Sequence, residues 1–341
     1  MAVTSQMEST VEALLFPGKG ILAADESLPT IERRFKAQGV ESTEVQRRAY
    51  REMLFTTAGL GEYISGAILF DETIRQRSTA GIPLQEVLAS QGIIPGIKVD
   101  RGTVALPAFP GELVTEGLDG LRERLTEYRG LGARFTKWRA VVAIGDRMPT
   151  RACTKANARE LAHFAALSQE AGLVPIVEPE ILMNGNHSLT RSEEVATSLL
   201  KDVFDALVEY RVTLEHMLLK TSMIVSGSEC PDQADDSAVA ETTLRCLRRG
   251  VPVAVPGIVF LSGGQEDEVA TKRLNAICQA GPAPWTLSFS FGRALQAASL
   301  GLWKGSSINV PAAQEALLHR ARCNSAAVQG RYSTMMEHAQ T

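Results

Sequence analysis

Eight short apolar runs recur along the chain, their starts roughly 30 to 45 residues apart, and that period narrows the fold more than any other feature. The runs are "GILAAD", "ISGAILF", "IIPGIKV", "RFTKWRAVV", "LVPIVEPEIL", "HMLLKTSMI", "GIVFLSGG" and "WTLSFSFG". Their length and β-branched content mark them as strands. Most gaps carry an amphipathic helical pattern, such as "RELAHFAALSQEAG" or "SLLKDVFDALVEYR". Strand, helix and strand in repetition give parallel neighbours, and eight such units predict a closed (β/α)8 barrel of the TIM type. No linker or low-complexity tract interrupts the 341 residues, so we expect an α/β protein with one domain over 1–341 and a short tail from about 331. "TSMIVSGSECPDQADDSA" reads as one long exposed loop.

Composition excludes several function classes. A net charge of -4 gives no bulk attraction for nucleic acid or anionic membrane, so neither is an expected partner. "MAVTSQMEST" lacks the features of a secretory leader and no run reaches the length of a membrane span, which points to a cytoplasmic location. The five cysteines have no C-x-x-C spacing and the five histidines no H-E-x-x-H, so neither a disulfide framework nor a metal site is expected. His187, in "NGNHS", reads as a solvated loop residue. Dinucleotide, P-loop and nucleophile-elbow motifs are absent, and no cofactor is expected.

The strands are not purely apolar, as buried parallel strands usually are. Asp25, Lys98, Lys137, Arg139, Glu178, Glu180, Lys220, Ser262 and Ser290 stand at or near their C-terminal ends. In a barrel those ends converge on one mouth, where catalytic residues of different strands meet. Alternation puts Lys137 with Arg139, and Glu178 with Glu180, on common faces. Any one pair is equally readable as an ion pair closing the top of the lumen.

Lys220 is the candidate nucleophile: apolar neighbours and a nearby Lys137 would disfavour its ammonium form, and a neutral amine attacks ketones and aldehydes. The bland alternative is a snorkelling or salt-bridged lysine. Glu180 and Glu178 are candidates for the proton transfers, and Asp25 for a separate base, its alternative being a helix N-cap. "LSGGQ" (Ser262, Gly263, Gly264) and "FGRALQ" (Gly292, Arg293) follow the seventh and eighth strands, where barrels often bind phosphate. Ser27, Arg34 and Lys98 suggest a second cationic pocket, although the "ERR" run also fits a solvated helix face.

"GILAADES", "GIKVD", "KWRAV", "IVEPEIL", "LLK", "FLSGGQ" and "SFSFGRALQ", in this order from about Gly18 to about Tyr332, closely resemble the motifs of class I fructose-bisphosphate aldolase, the Schiff-base type. The resemblance implies reversible cleavage of fructose 1,6-bisphosphate to dihydroxyacetone phosphate and glyceraldehyde 3-phosphate, in glycolysis and gluconeogenesis. It also implies no metal, no cofactor and commonly a cytosolic homotetramer. It makes Lys220 the Schiff-base lysine and Glu180 the principal acid/base, with Glu178 and Lys137 assisting. Asp25 would take the C4 hydroxyl proton, Arg139 and Ser290 would orient the substrate, and Ser262, Gly263, Gly292 and Arg293 would hold the C1 phosphate. Ser27, Arg34 and Lys98 match residues toward the C6 phosphate. Two departures stand out: "LPT" (Leu28, Pro29, Thr30) replaces Thr-Gly-Ser, and the long tyrosine-ended tail of animal members is missing, Tyr332 matching a tyrosine before it. The first bears on preference for the bisphosphate over fructose 1-phosphate, the second on how the enamine is protonated. Other Schiff-base barrel enzymes and a non-catalytic barrel are the rival readings, the first needing only one phosphate site and the second no intact lysine and glutamates.

Overall fold

The computed structural model describes residues 2–338, and in it all eight apolar runs form strands. They are β1 (Gly20–Ala24), β2 (Ile64–Leu69), β3 (Ile94–Lys98), β6 (Phe135–Val142), β7 (Val174–Ile181), β8 (Leu218–Thr221), β9 (Gly257–Phe260) and β10 (Thr286–Phe291). Each pairs in parallel with its neighbours in the order β1-β10-β9-β8-β7-β6-β3-β2, closing a TIM barrel as expected. The gap after β3 holds a feature the helical period does not announce: an antiparallel hairpin of β4 (Thr103–Ala105) and β5 (Leu113–Thr115).

Helix starts follow local chemistry. Thr150, Ser188 and Asp235 each cap a helix with a side-chain oxygen that accepts from an amide of its first turn, opening Arg151–Glu170, Leu189–Glu209 and Asp236–Gly250. These helices bury one face against the barrel exterior, where Leu22, Trp138, Val177, Leu219 and Ile258 point outward into the large core. The opposite faces of the same strands make a second, interior cluster, in which Ile21, Ile68, Phe135, Val174, Ile176, Leu218 and Val259 meet. Met7, Val11, Leu14 and Leu15, from the N-terminal helix Ala2–Leu14 and its end, pack into that cluster and plug the bottom of the barrel.

Glycine makes room for the plug. A Cβ on Gly96 would lie 2.3 Å from the Phe135 ring, and one on Gly66 2.6 Å from Leu14 Cδ2. The long loop after β8 departs from expectation: Met223 to Gly227 are buried, and its exposed part begins at Ser228. The end of the chain docks through the turn Thr334–Glu337, while positions 339–341 of the expected tail lie outside the described residues. No described helix is long and apolar enough to cross a membrane.

Because the Phe135 ring fills the space that a side chain on β3 would need, Gly96→Ala is expected to destabilise the fold by about 1–3 kcal/mol. Denaturant unfolding monitored by circular dichroism checks this, and an unchanged midpoint would contradict the packing described.

Candidate active site

Strand alternation carries the interior from apolar at the bottom to charged at the top. On β6 the inward face runs Phe135, Lys137, Arg139; on β7 it runs Val174, Ile176, Glu178, Glu180; on β8 it runs Leu218, Lys220. Beyond the end of β1, Asp25 joins them. Lys137 Nζ lies 2.6 Å from Asp25 Oδ2 and 3.3 Å from Glu178 Oε2, and Lys220 Nζ lies 3.0 Å from Glu178 Oε1. All four side chains are buried. Two ammonium and two carboxylate groups in alternation balance in charge, which removes most of the cost that each would carry alone in a dry interior.

The electrostatics follow from that arrangement. Burial would raise the Asp25 carboxyl, but the Lys137 and Lys220 ammoniums outweigh it and hold the group at about 2. Glu178 is likewise pushed up by burial and pulled further down by Lys137 and Lys220, so it stays ionised. Burial disfavours the Lys137 cation, yet Asp25 and Glu178 reverse this and hold its proton more firmly than usual.

Two sequence expectations change here. Lys220 is not in wholly apolar surroundings, since Glu178 reaches it directly. The carboxylate at Lys220 is Glu178 and not Glu180, which is engaged instead by Arg139 Nε at 2.6 Å. The β7–β8 register explains the difference: Ile176 stands level with Leu218 and Val177 with Leu219, so Glu178 follows in step with Lys220 and Glu180 sits two residues further out. The alternative reading of Asp25 as a helix cap falls away, because the helix Leu28–Ala37 begins after Ser27 and Asp25 meets Lys137 instead.

A cavity of about 1320 Å³ opens over the quartet, bounded by Ser262 and Gly263 after β9, Ser290 on β10, and Gly292 and Arg293 after it. Ser262 is buried, and the Ser290 hydroxyl has no hydrogen-bond partner among the described residues. Gly292 caps the helix Arg293–Trp303, whose N-terminal end therefore faces the cavity, and Arg293 Nη2 donates to Gln265 O at 3.0 Å. Gly264 does not line the cavity; a Cβ there would lie 2.4 Å from the Met183 sulfur.

The residues expected to form a second cationic pocket all line this same cavity. Ser27 Oγ donates to Thr30 Oγ1 at 3.2 Å, near Pro29 on the cavity wall. Lys98 is neutralised by Asp100. Arg34 lies across the β1–β10 seam, where its Nη2 is 4.0 Å from the position of a Cβ on Gly292, so it belongs with the Gly292–Arg293 end. Strand spacing misses this because Arg34 sits on a helix and reaches the mouth through its long side chain.

Asp100, Glu26 and Arg33 also line the cavity and carry no role in the sequence reading. Asp100 had a usable signal, its i+2 spacing from Lys98; it also accepts from Arg139 N at 3.2 Å. His187 is buried with neither ring nitrogen partnered among the described residues, not solvated as its loop context suggested. His319 and Cys323, one turn apart on the helix Val310–Val328, and Glu337 bring ligand atoms within 4.8 Å of one another, but Arg320 already pairs with the Glu337 oxygen that faces His319.

Comparison with known proteins is consistent across sequence and structure. The family model described as fructose-bisphosphate aldolase class-I matches residues 6–341. The chain is 54% identical over 328 residues to a probable fructose-bisphosphate aldolase class 1 of Xanthomonas campestris, covering 96% of this chain and 98% of that one. It is 50% identical to fructose-bisphosphate aldolase 1 of Toxoplasma gondii, covering 97% and 92%. Among solved structures it resembles the fructose-bisphosphate aldolase of Plasmodium falciparum, crystallised with TRAP and a small-molecule inhibitor. That likeness has a TM-score of 0.96 at 48% identity, over 98% of this chain and 96% of the other.

The depressed Asp25 carboxyl has a measurable consequence. Its contribution to stability is complete above the ordinary value of 3.8 and is lost as pH falls toward about 2. Carboxyl-carbon NMR, assigned through Asp25→Asn, is expected to show this resonance titrating near 2; a midpoint near 4 would show that Lys137 does not hold it.

Proposed function

The chain belongs to the class-I fructose-bisphosphate aldolase family, and on that footing we propose that it cleaves fructose 1,6-bisphosphate through a Schiff base on Lys220. The observation that carries this reading is the buried Lys220–Glu178–Lys137–Asp25 quartet at the floor of the large cavity. A structural ion pair would need only two of these groups and no cavity above them.

Each side chain then has a step. Glu178, in contact with Lys220, takes a proton from the ammonium, and the amine attacks the C2 ketone of the open-chain sugar to give a carbinolamine. Proton delivery to the C2 hydroxyl expels water and leaves the iminium; Lys137 and Glu178 are the groups within reach. Asp25, kept as a carboxylate, accepts the C4 hydroxyl proton as the C3–C4 bond breaks. The bonding pair moves into the iminium, forming an enamine, and the aldehyde departs as glyceraldehyde 3-phosphate. Protonation at C3 and hydrolysis release dihydroxyacetone phosphate and the free lysine. Charge is stabilised by the iminium itself, an electron sink that the ketone does not provide.

Ser262, Gly263, Gly292, Arg293 and Arg34 offer donors for the C1 phosphate, with the N-terminal end of the helix Arg293–Trp303 behind them. Ser27, Thr30 and Lys98 remain the candidates for the C6 phosphate, Lys98 already sharing its charge with Asp100. Arg139, paired with Glu180, and the unpartnered Ser290 hydroxyl are placed to orient the sugar backbone. We place Glu178 ahead of Glu180 as the principal acid/base because only Glu178 reaches Lys220.

Borohydride reduction with dihydroxyacetone phosphate is expected to label the peptide bearing Lys220; label on another lysine would sink the mechanism. Glu178→Gln should lower kcat by roughly 10²–10⁴, with a smaller loss for Glu180→Gln. If the order of the two losses reversed, Glu180 would regain the principal role.

A further inference from the structure

Glu26 follows Asp25 in the chain but serves a different set of partners. One carboxylate oxygen accepts from Arg34 Nη1 and from Gln296 Nε2 at 3.0 Å, and the other accepts from Arg51 Nη2 at 2.6 Å. The three donors come from three helices: Leu28–Ala37, Glu44–Phe55 and Arg293–Trp303. The supporting groups are themselves fixed. Gln296 Nε2 also donates to Ala23 O at 2.8 Å, its Oε1 accepts from Tyr50 Oη at 3.2 Å, and Arg51 Cζ lies 5.6 Å from the centre of the Tyr50 ring.

One carboxylate between two guanidiniums leaves one positive charge unmatched. Arg51 is 3% exposed and does not reach the cavity, whereas Arg34 lines it beside Gly292 and retains 25% of its side-chain exposure. The excess charge is therefore presented to the cavity by Arg34 alone. An arginine side chain free to rotate would have to be ordered again by each incoming anion, and pre-ordering it removes that cost from binding. Burial opposes ionisation of Glu26, but Arg51 and Arg34 outweigh it and keep the carboxyl ionised.

We propose that Glu26, backed by Arg51, is a positioning residue that holds the Arg34 guanidinium beside Gly292 and Arg293 to receive a phosphate of the substrate. The proposal deepens the phosphate assignment made for this end of the cavity and rests on it. Glu26 touches no reacting atom, so its removal acts on phosphate affinity and not on the lysine chemistry.

The test is a double-mutant cycle on the full-length enzyme. Glu26→Gln keeps the shape and removes the charge; it is expected to raise KM for fructose 1,6-bisphosphate about tenfold, and Glu26→Asp, which keeps the charge at a shorter reach, should raise it by about threefold. Borohydride trapping of unphosphorylated dihydroxyacetone on Lys220 should change less than about twofold, which a general collapse of the site would not allow. In an Arg34→Met background, Glu26→Gln should add less than about twofold. Additive effects of the two substitutions, or an unchanged KM in Glu26→Gln, would overturn the proposal. If Glu26→Gln does not fold, the cycle is run with Glu26→Asp, whose shorter reach to Arg34 should raise the same KM only when Arg34 is present; equal effects in both backgrounds would overturn it. Inorganic phosphate is run as a competitor against the wild-type enzyme: competition supports the phosphate assignment, and its absence removes that assignment and this proposal together.

Discussion

The alternation of charge along Asp25, Lys137, Glu178 and Lys220 is the interaction on which the rest of the barrel's upper half depends. Placing four ionised groups in a space with little water is tolerable only because each carboxylate meets an ammonium and each ammonium a carboxylate. Removing any one leaves an odd charge buried, a far larger disturbance than losing an exposed pair such as Arg122–Glu170. The same balance sets the chemical state of the site, since Asp25 and Glu178 are carboxylates there because Lys137 and Lys220 are cations.

The quartet needs a rigid floor, and the apolar plug supplies it. Phe135 and Ile176 sit one inward step below Lys137 and Glu178, and Leu218 one step below Lys220. The N-terminal helix closes the bottom against Leu14 and Leu15. Glycines at 66 and 96 admit the large side chains without spreading the strands. Above the floor, loops and helix ends bring in groups of a different kind: hydroxyls, glycine backbone and guanidiniums aimed at anions. A packed, dry base and a wet, cationic rim are two parts of one alternation pattern continued past the strand ends.

Much of this is legible before any coordinates are known. The eight runs, their spacing and their polar C-terminal residues identify the barrel, and the comparisons place the chain in a known enzyme family. What sequence reasoning mistook is instructive. His187 looked solvated because its neighbours are small and polar, yet the loop folds inward. Glu178 and Glu180 are indistinguishable by type and face, and only the register between β7 and β8 decides which one stands in step with Lys220. Arg34 was assigned by the position of its backbone, although its guanidinium reaches across a strand seam.

By itself the sequence determined the period of the elements, the face on which each residue falls and the chemical types gathered at the mouth, because these follow from alternation and helical repeat within short stretches. Only the tertiary structure decided which charge touches which. Barrel closure joins β1 to β10 and sets the stagger between strands, and a shift of one residue in that stagger turns a side chain to the other face while a shift of two moves it one inward step along the barrel axis. Pairing distances, and with them the protonation of Asp25, the partner of Lys220 and the place of Arg34, are properties of that closure and of no single segment.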